Sequence, residues 1–175
     1  METLKSVTDP KLLAVAANRG DEIIEIIGDF SPLSVTVVDL SKQAIAQGRS
    51  KFQEFSYGIG NMEDLPVGSK EYDVYLNLRS IHSRGVELKS ALSEARRVLR
   101  RGGLCVISVS NGYIRNDDGK SVVELGMYDS RLKGISRVMP DELVMKIKEK
   151  MISYGFENVR YEECETEIFI FGKKG

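Results

Sequence analysis

Gly20 and Asp39 are the residues whose types and spacing first suggest chemistry in this sequence. Gly20 lies in the stretch KLLAVAANRGDEII (residues 11–24), where an apolar run stops at a turn and restarts as an apolar-periodic helix opened by Asp21 and Glu22. This is the layout of a nucleotide-binding βα turn, although it holds one glycine where such turns usually have two or three. Asp39 ends the β-branched run SVTVVD, nineteen residues beyond Gly20. A carboxylate at that spacing can accept hydrogen bonds from both hydroxyls of a ribose. An aspartate after a strand also commonly initiates the next helix, and on spacing alone the two readings stand level.

Other reactive residue types have plainer explanations. His82, the single histidine, could act as a general base near neutral pH, but a packing or capping role fits its turn-like context better. Arg96, Arg97, Arg100 and Arg101 straddle an apolar stripe near a helix end. Cations there favour the helix dipole, so they read as a solvated face. Tyr113 and Tyr128 could stack on a planar ligand, with ordinary packing the equal alternative. Cys105 and Cys164 are far apart, lack metal-ligand spacing and read as buried structural thiols, so no metal site is expected.

Alternating elements must position these residues. Leu12–Ala16 reads as a short buried strand, followed by a helix carrying Ile23, Ile24, Ile26 and Ile27 and stopped by Gly28. SVTVVD (34–39) leads into a helix with Ser41 as its N-cap. EFSYGIGN (54–61) and YDVYLNL (72–78) read as the third and fourth strands. Leu88, Ala91, Leu92, Ala95, Val98 and Leu99 keep helical spacing, with Gly102 and Gly103 expected to end that helix. LCVISVS (104–110) has the continuous apolar character of a strand buried on both faces. Residues 111–139 are irregular, with a turn at NDDG (116–119) and room for a short helix. Pro140 opens a helix with Leu143, Val144, Ile147 and Met151 on one face and Gly155 at its end. Strands at 159–163 and 167–171 finish the chain. One α/β domain over residues 1–175, with a mainly parallel sheet, is expected.

GNMEDLP (60–66), YDVYLNLRSIHS (72–83), EARRVLRRGGLCVIS (94–108) and YGFENVRY (154–161) occur in this order. Together they resemble the class I S-adenosylmethionine-dependent methyltransferases, in particular the methyltransferase-11-like branch, from about residue 11 to the end. The resemblance implies a Rossmann-like, doubly wound sheet of seven strands with the last antiparallel, and S-adenosylmethionine as cofactor. It implies that Ala14, Ala16, Asn18 and Gly20 belong to the turn facing the methionine part. Asp39 would hold the ribose and Leu40 would flank the adenine. Asn61 would stand where the family usually has an aspartate beside the adenine amino group. Met62 would offer its backbone N–H and pack on the ring, and Asn77 and Leu78 would lie where cofactor and acceptor meet.

The sequence also departs from that family. Ala14 replaces the usual acidic residue, Asn18 replaces the middle glycine, and Arg79 stands where an apolar or aromatic residue is common. Ala16 looks unremarkable, whereas Asn18 is the most tolerable non-glycine residue if the turn needs positive φ. About ten residues precede the first strand where many relatives carry closing helices, so an open pocket, or one closed by a second copy or a partner subunit, is expected. Two functions follow: methyl transfer to a small-molecule or protein acceptor, or a non-catalytic methyltransferase-like binding or regulatory subunit. A net charge of −1 over 175 residues gives no broad field for nucleic acid. No stretch reaches membrane-spanning length and no leader is evident, which points to the cytoplasm.

Overall fold

The apolar runs become the inner strands of a central sheet, buried on both faces, with more exposed strands at its edges. The computed structural model describes residues 10–27, 34–83, 85–110, 113–115, 121–123, 127–128, 137–138, 140–164 and 167–175. Counting strands of the main sheet only, these are β1 (Lys11–Val15), β2 (Ser34–Asp39), β3 (Ser56–Ile59), β4 (Tyr72–Leu78), β5 (Leu99–Ser110), β6 (Phe156–Glu163) and β7 (Glu167–Lys174). Their order is β6-β7-β5-β4-β1-β2-β3. Strands β1 to β5 pair in parallel, and β7 runs antiparallel to both β5 and β6. This is the expected doubly wound sheet with its last strand reversed. Strand order reverses between β1 and β4, so a crevice opens at the carboxyl ends of those two strands.

Alternation along the strands builds two cores. Leu13 and Val15 of β1, Tyr75 of β4 and Ile107 of β5 join one cluster. That cluster includes Leu88, Leu92 and Ala95 of α3 (Leu88–Val98), and Leu143, Ile147 and Met151 of α4 (Pro140–Ser153). Leu12, Ala14, Val37, Leu76 and Val106 face the other way, against Ile23 of α1 (Asp21–Ile27) and Ile45 of α2 (Lys42–Lys51). The inner parallel strands β1, β4 and β5 therefore serve both layers, which is why LCVISVS lacks a polar face.

The punctuation residues act largely as read. Ser41 caps α2, its Oγ accepting from the Ala44 N–H at 3.1 Å. Gly155 follows α4 at φ +78°, a conformation that favours glycine. Gly102 and Gly103 do not end α3. The helix stops at Val98, Leu99 is already extended, and the two glycines form a bulge within β5. Gly102 takes φ +76°, and a Cβ on Gly103 would stand 2.9 Å from the Arg100 carbonyl oxygen.

Cys105 is buried, and burial pushes its thiol pKa up. Cys164 is exposed just beyond β6, contrary to the buried thiol expected of it. Between β5 and α4, Tyr113–Arg115 pairs with Ser121–Val123, and Met127–Tyr128 with Arg137–Val138. The expected stop at Gly28 and the turn at 116–119 lie outside the described residues. So does any short helix in the 111–139 segment. No helix among the described residues is long and apolar enough to cross a membrane.

Gly48, inside α2, yields a test of this packing. Alanine normally stabilises a helix interior by up to about 1 kcal/mol over glycine. Here its Cβ would meet the Arg19 carbonyl oxygen at 2.7 Å and Tyr57 Cε1 at 2.6 Å. A backbone oxygen cannot retreat cheaply, so overpacking outweighs propensity. Gly48→Ala should destabilise the protein by about 1–2 kcal/mol in urea unfolding. A stability gain would contradict this packing.

Candidate functional site

The turn after β1 is built on three consecutive alternate residues with positive φ: Ala16 at 54°, Asn18 at 54° and Gly20 at 93°. The sequence points to glycine-like geometry at Asn18 but not at Ala16, whose left-handed conformation carries a Cβ penalty. Close packing holds the turn in place. The Ala16 N–H donates to the Val38 carbonyl at 2.8 Å, and the Gly20 N–H to the Ala17 carbonyl at 2.9 Å. A Cβ on Gly20 would crowd Val37 Cγ2 at 3.3 Å, so glycine is required there both for φ and for space.

Asp39 fastens this turn to the next helix. Its Oδ2 accepts from the Asn18 N–H at 2.8 Å, and its Oδ1 from the Ser41 N–H at 2.8 Å. The Asp39 carbonyl also accepts from the Gly60 N–H at 3.1 Å, bringing in the segment after β3. The helix-initiating and ligand-binding readings of Asp39 are thus not exclusive. A carboxylate offers about four lone-pair positions, and two N–H bonds leave acceptor capacity on both oxygens. Beside it, Leu40 is 68% exposed and Ile59 46% exposed, an apolar pair at the carboxyl ends of β2 and β3.

Across the crevice, Asn77 is fully buried in β4 and donates through Nδ2 to the Val15 carbonyl at 3.1 Å. Its Oδ1 is buried without a hydrogen-bond partner among the described residues. Ser80 Oγ donates to the Leu78 carbonyl at 2.8 Å and lies 3.4 Å from the Ala16 carbonyl. Arg79 follows β4 at φ 51°. Its N–H donates to the Ser108 carbonyl at 3.0 Å. Its guanidinium pairs with Glu22 of α1 and reaches Glu167 of β7 at 3.6 Å. An exposed ion pair therefore spans the rim between β1 and β4. Glu22 and Ser80 escape a sequence reading because their partners lie 57 and 64 residues away.

Other expected site residues are less available. Ala14 is fully buried between its β-sheet partners Val37 and Leu76, so it presents no surface to a ligand. Met62 is 7% exposed and packs in the core with Leu65 and Ile81, which leaves little of its side chain for a ring. Asn61 is exposed, its Oδ1 accepting from the Glu63 N–H at 3.1 Å. Leu78 is half-buried against the second core. The side chains of Tyr113 and Tyr128 lie outside the described set. Among the described residues no His, Cys, Asp and Glu cluster could hold a metal.

His82 is largely withdrawn from solvent, its Nδ1 buried without a partner among the described residues. Burial pushes its pKa down to about 4. The imidazole is therefore neutral at pH 7, and the packing role is the one its surroundings support.

The family described as a methyltransferase domain matches residues 13–107, more than half of the chain. An uncharacterized protein of Methanocaldococcus jannaschii is 30% identical over 152 residues, covering 83% of this chain and 68% of that protein. A probable phthiotriol/phenolphthiotriol dimycocerosates methyltransferase of Mycobacterium ulcerans is 29% identical over 103 residues, covering 58% of this chain but only 40% of its own length. Among solved structures, the CurJ carbon methyltransferase superposes with a TM-score of 0.73 at 17% identity, over 100% of this chain and 52% of that one. Human N-acetylserotonin methyltransferase, solved with S-adenosylmethionine, gives 0.70 at 14% identity, over 98% of this chain and 50% of that one. The chain thus spans about half the length, or less, of several proteins it matches. At these identities the structural likenesses establish the fold alone.

Two outcomes follow from the site itself. Asp39→Ala should destabilise the ligand-free protein by about 1.5–3 kcal/mol, since two N–H groups lose a charged acceptor. Partial solvation of the site favours the lower figure, and urea unfolding would read it. An unchanged midpoint would mean that the turn does not rest on Asp39. For His82, the unfolded chain takes up a proton near pH 6.5 while the folded protein resists it down to about 4. Stability should therefore fall as pH drops from 6.5 toward 4 and be flat with respect to this group above 6.5. Unfolding at pH 7 and pH 5 should show a smaller acid loss in His82→Phe than in the natural protein. An equal loss would refute the assignment.

Proposed function

Since this chain belongs to the methyltransferase domain family, we propose that it is an S-adenosylmethionine-dependent methyltransferase with its cofactor at the β1–β4 crevice. One observation carries the cofactor reading. Asp39 stands at the carboxyl end of β2, fixed by two backbone donors yet retaining lone pairs on both oxygens. That is the preparation a ribose diol needs, because an oriented carboxylate loses little freedom on binding. Leu40 and Ile59 supply apolar surface for an adenine ring. Asn61, exposed after β3, would meet its polar edge.

The turn from Ala16 to Gly20 would hold the methionine part through backbone groups. Ala14 is enclosed and contributes spacing rather than contact. The Oδ1 of Asn77, without a hydrogen-bond partner among the described residues, would give β4 a polar centre beneath the crevice. S-adenosylmethionine supplies an activated sulfonium methyl, so the chain's task is alignment and exclusion of water rather than acid–base relay. The Arg79–Glu22 pair lies across the rim, and its exposure makes it inexpensive to open.

The second reading, a non-catalytic binding or regulatory subunit, draws on the left-handed Ala16 and Asn18. A relaxed ligand turn would carry glycine at such positions. Either reading allows a second copy or partner subunit over the crevice, and cytoplasmic residence.

Titration calorimetry separates the two. S-adenosylhomocysteine should bind saturably, and Asp39→Ala, measured where it remains folded, should weaken binding by roughly 10- to 150-fold. Absence of binding to the natural protein at about millimolar ligand, a level worth only about 4 kcal/mol, would favour the subunit reading. Binding unaffected by Asp39→Ala would put the ligand elsewhere.

A further inference from the structure

A second concavity lies at the opposite end of the sheet, by the amino ends of β4 and β5. This groove, about 330 Å³, is lined by four cationic residues: Lys70, Arg96, Arg97 and Lys174. They come from three parts of the chain: the turn before β4, the last turn of α3 and the end of β7. Its volume is that of a small-molecule site rather than a macromolecular interface.

The four charges differ in how they are compensated. Arg97 is held by Glu94 through Nε at 2.6 Å and Nη2 at 2.7 Å, and also donates to the Val67 and Leu65 carbonyls. It forms a fixed wall. The adjacent Arg100 is balanced by Asp73 at 3.2 Å. Lys70 and Arg96, by contrast, form no ion pair with a described residue. Lys174 is only 9% exposed, and its ammonium donates to a neutral group, the Leu99 carbonyl, at 2.7 Å. Burial, with Arg96 and Lys70 nearby, holds its pKa below the ordinary lysine value.

The dipole of α3 accounts for Arg96 and Arg97 in its last turn. It does not account for Lys70 and Lys174, which belong to other elements yet line the same groove. Arg96 is also positioned: its Nε stands 3.1 Å from where a Cβ on Gly155 would lie. The glycine that ends α4 thus leaves room for the guanidinium. The remaining lining residues are Ser69, Ser93 and Tyr154, and Ser69 Oγ accepts from Arg97 Nη1 at 3.2 Å. Lys70, Arg96 and Lys174, cations on three elements with no ion pair to a described residue, suit a multiply charged tetrahedral oxyanion.

We propose that this groove binds the phosphate group of a small phosphorylated molecule, at a site separate from the carboxyl-end crevice. The assignment rests on the convergence of Lys70, Arg96 and Lys174 and stands whether or not the crevice takes S-adenosylmethionine.

Inorganic pyrophosphate is the probe, titrated into the full chain by calorimetry at constant ionic strength. The natural protein should bind it saturably. Arg96→Gln and Lys70→Gln, both at exposed positions, should each weaken it roughly tenfold or more, as loss of a charged hydrogen bond implies. Lys174→Met should abolish binding. If that variant does not fold, as judged by circular dichroism, the other two decide. Lack of saturable pyrophosphate binding would overturn the proposal. So would undiminished binding in both Arg96→Gln and Lys70→Gln. A single-stranded RNA oligonucleotide that binds where pyrophosphate does not would overturn it in favour of a nucleic-acid surface.

Discussion

The carboxylate of Asp39 is the tie on which the crevice depends. One oxygen holds the Asn18 N–H in the turn after β1 and the other the Ser41 N–H at the start of α2. The backbone carbonyl of the same residue holds Gly60. Two segments distant in sequence, at Asn18 and Gly60, thus converge with the start of α2 on one residue at the end of β2. Both backbone N–H groups belong to positions whose local helix or strand pairing cannot satisfy them. A charged acceptor is the strongest available substitute. The same two bonds orient the carboxylate, so the interaction that fixes the turn also readies a polar group at the crevice.

The tie works against backbone strain. Ala16, Asn18 and Arg79 all adopt positive φ around the switch point, at a cost that surrounding structure must offset. From beneath, Asn77 clamps the Val15 carbonyl, and from the side Gly48 lets α2 approach the Arg19 carbonyl. Rigid packing thus supports the floor of the crevice, while its rim carries the exposed Arg79–Glu22 pair. This division, a fixed base under an adjustable edge, suits binding of a ligand that must enter and leave.

Much of this was legible in sequence, for identifiable reasons. Period-two and continuous apolar runs marked β1, β2, β4 and β5, and Ser41 declared the start of α2. Leu143, Val144, Ile147 and Met151 announced the buried face of α4, and all four are buried. Gly102 and Gly103 misled because glycine serves both helix ends and bulges, and only pairing with β4 decides between them. Ala16 passed as ordinary since its left-handed φ arises from the path between β1 and α1, not from its own preference. Ala14 and Met62 could be aligned with a motif, but their burial depends on neighbouring strands and loops. The groove at the other end was half visible: Arg96 and Arg97 stood out, but Lys70 and Lys174 meet them only through the sheet.

On the proposed function, Asp39 keeps its two backbone donors while offering its remaining lone pairs to a ribose. A crystal structure of the protein with S-adenosylhomocysteine tests this most directly. The ligand is expected at the β1–β4 crevice, its ribose hydroxyls on Asp39, with the Asn18 and Ser41 hydrogen bonds intact. A ligand bound away from Asp39, or one that binds only after those two bonds are broken, would contradict it.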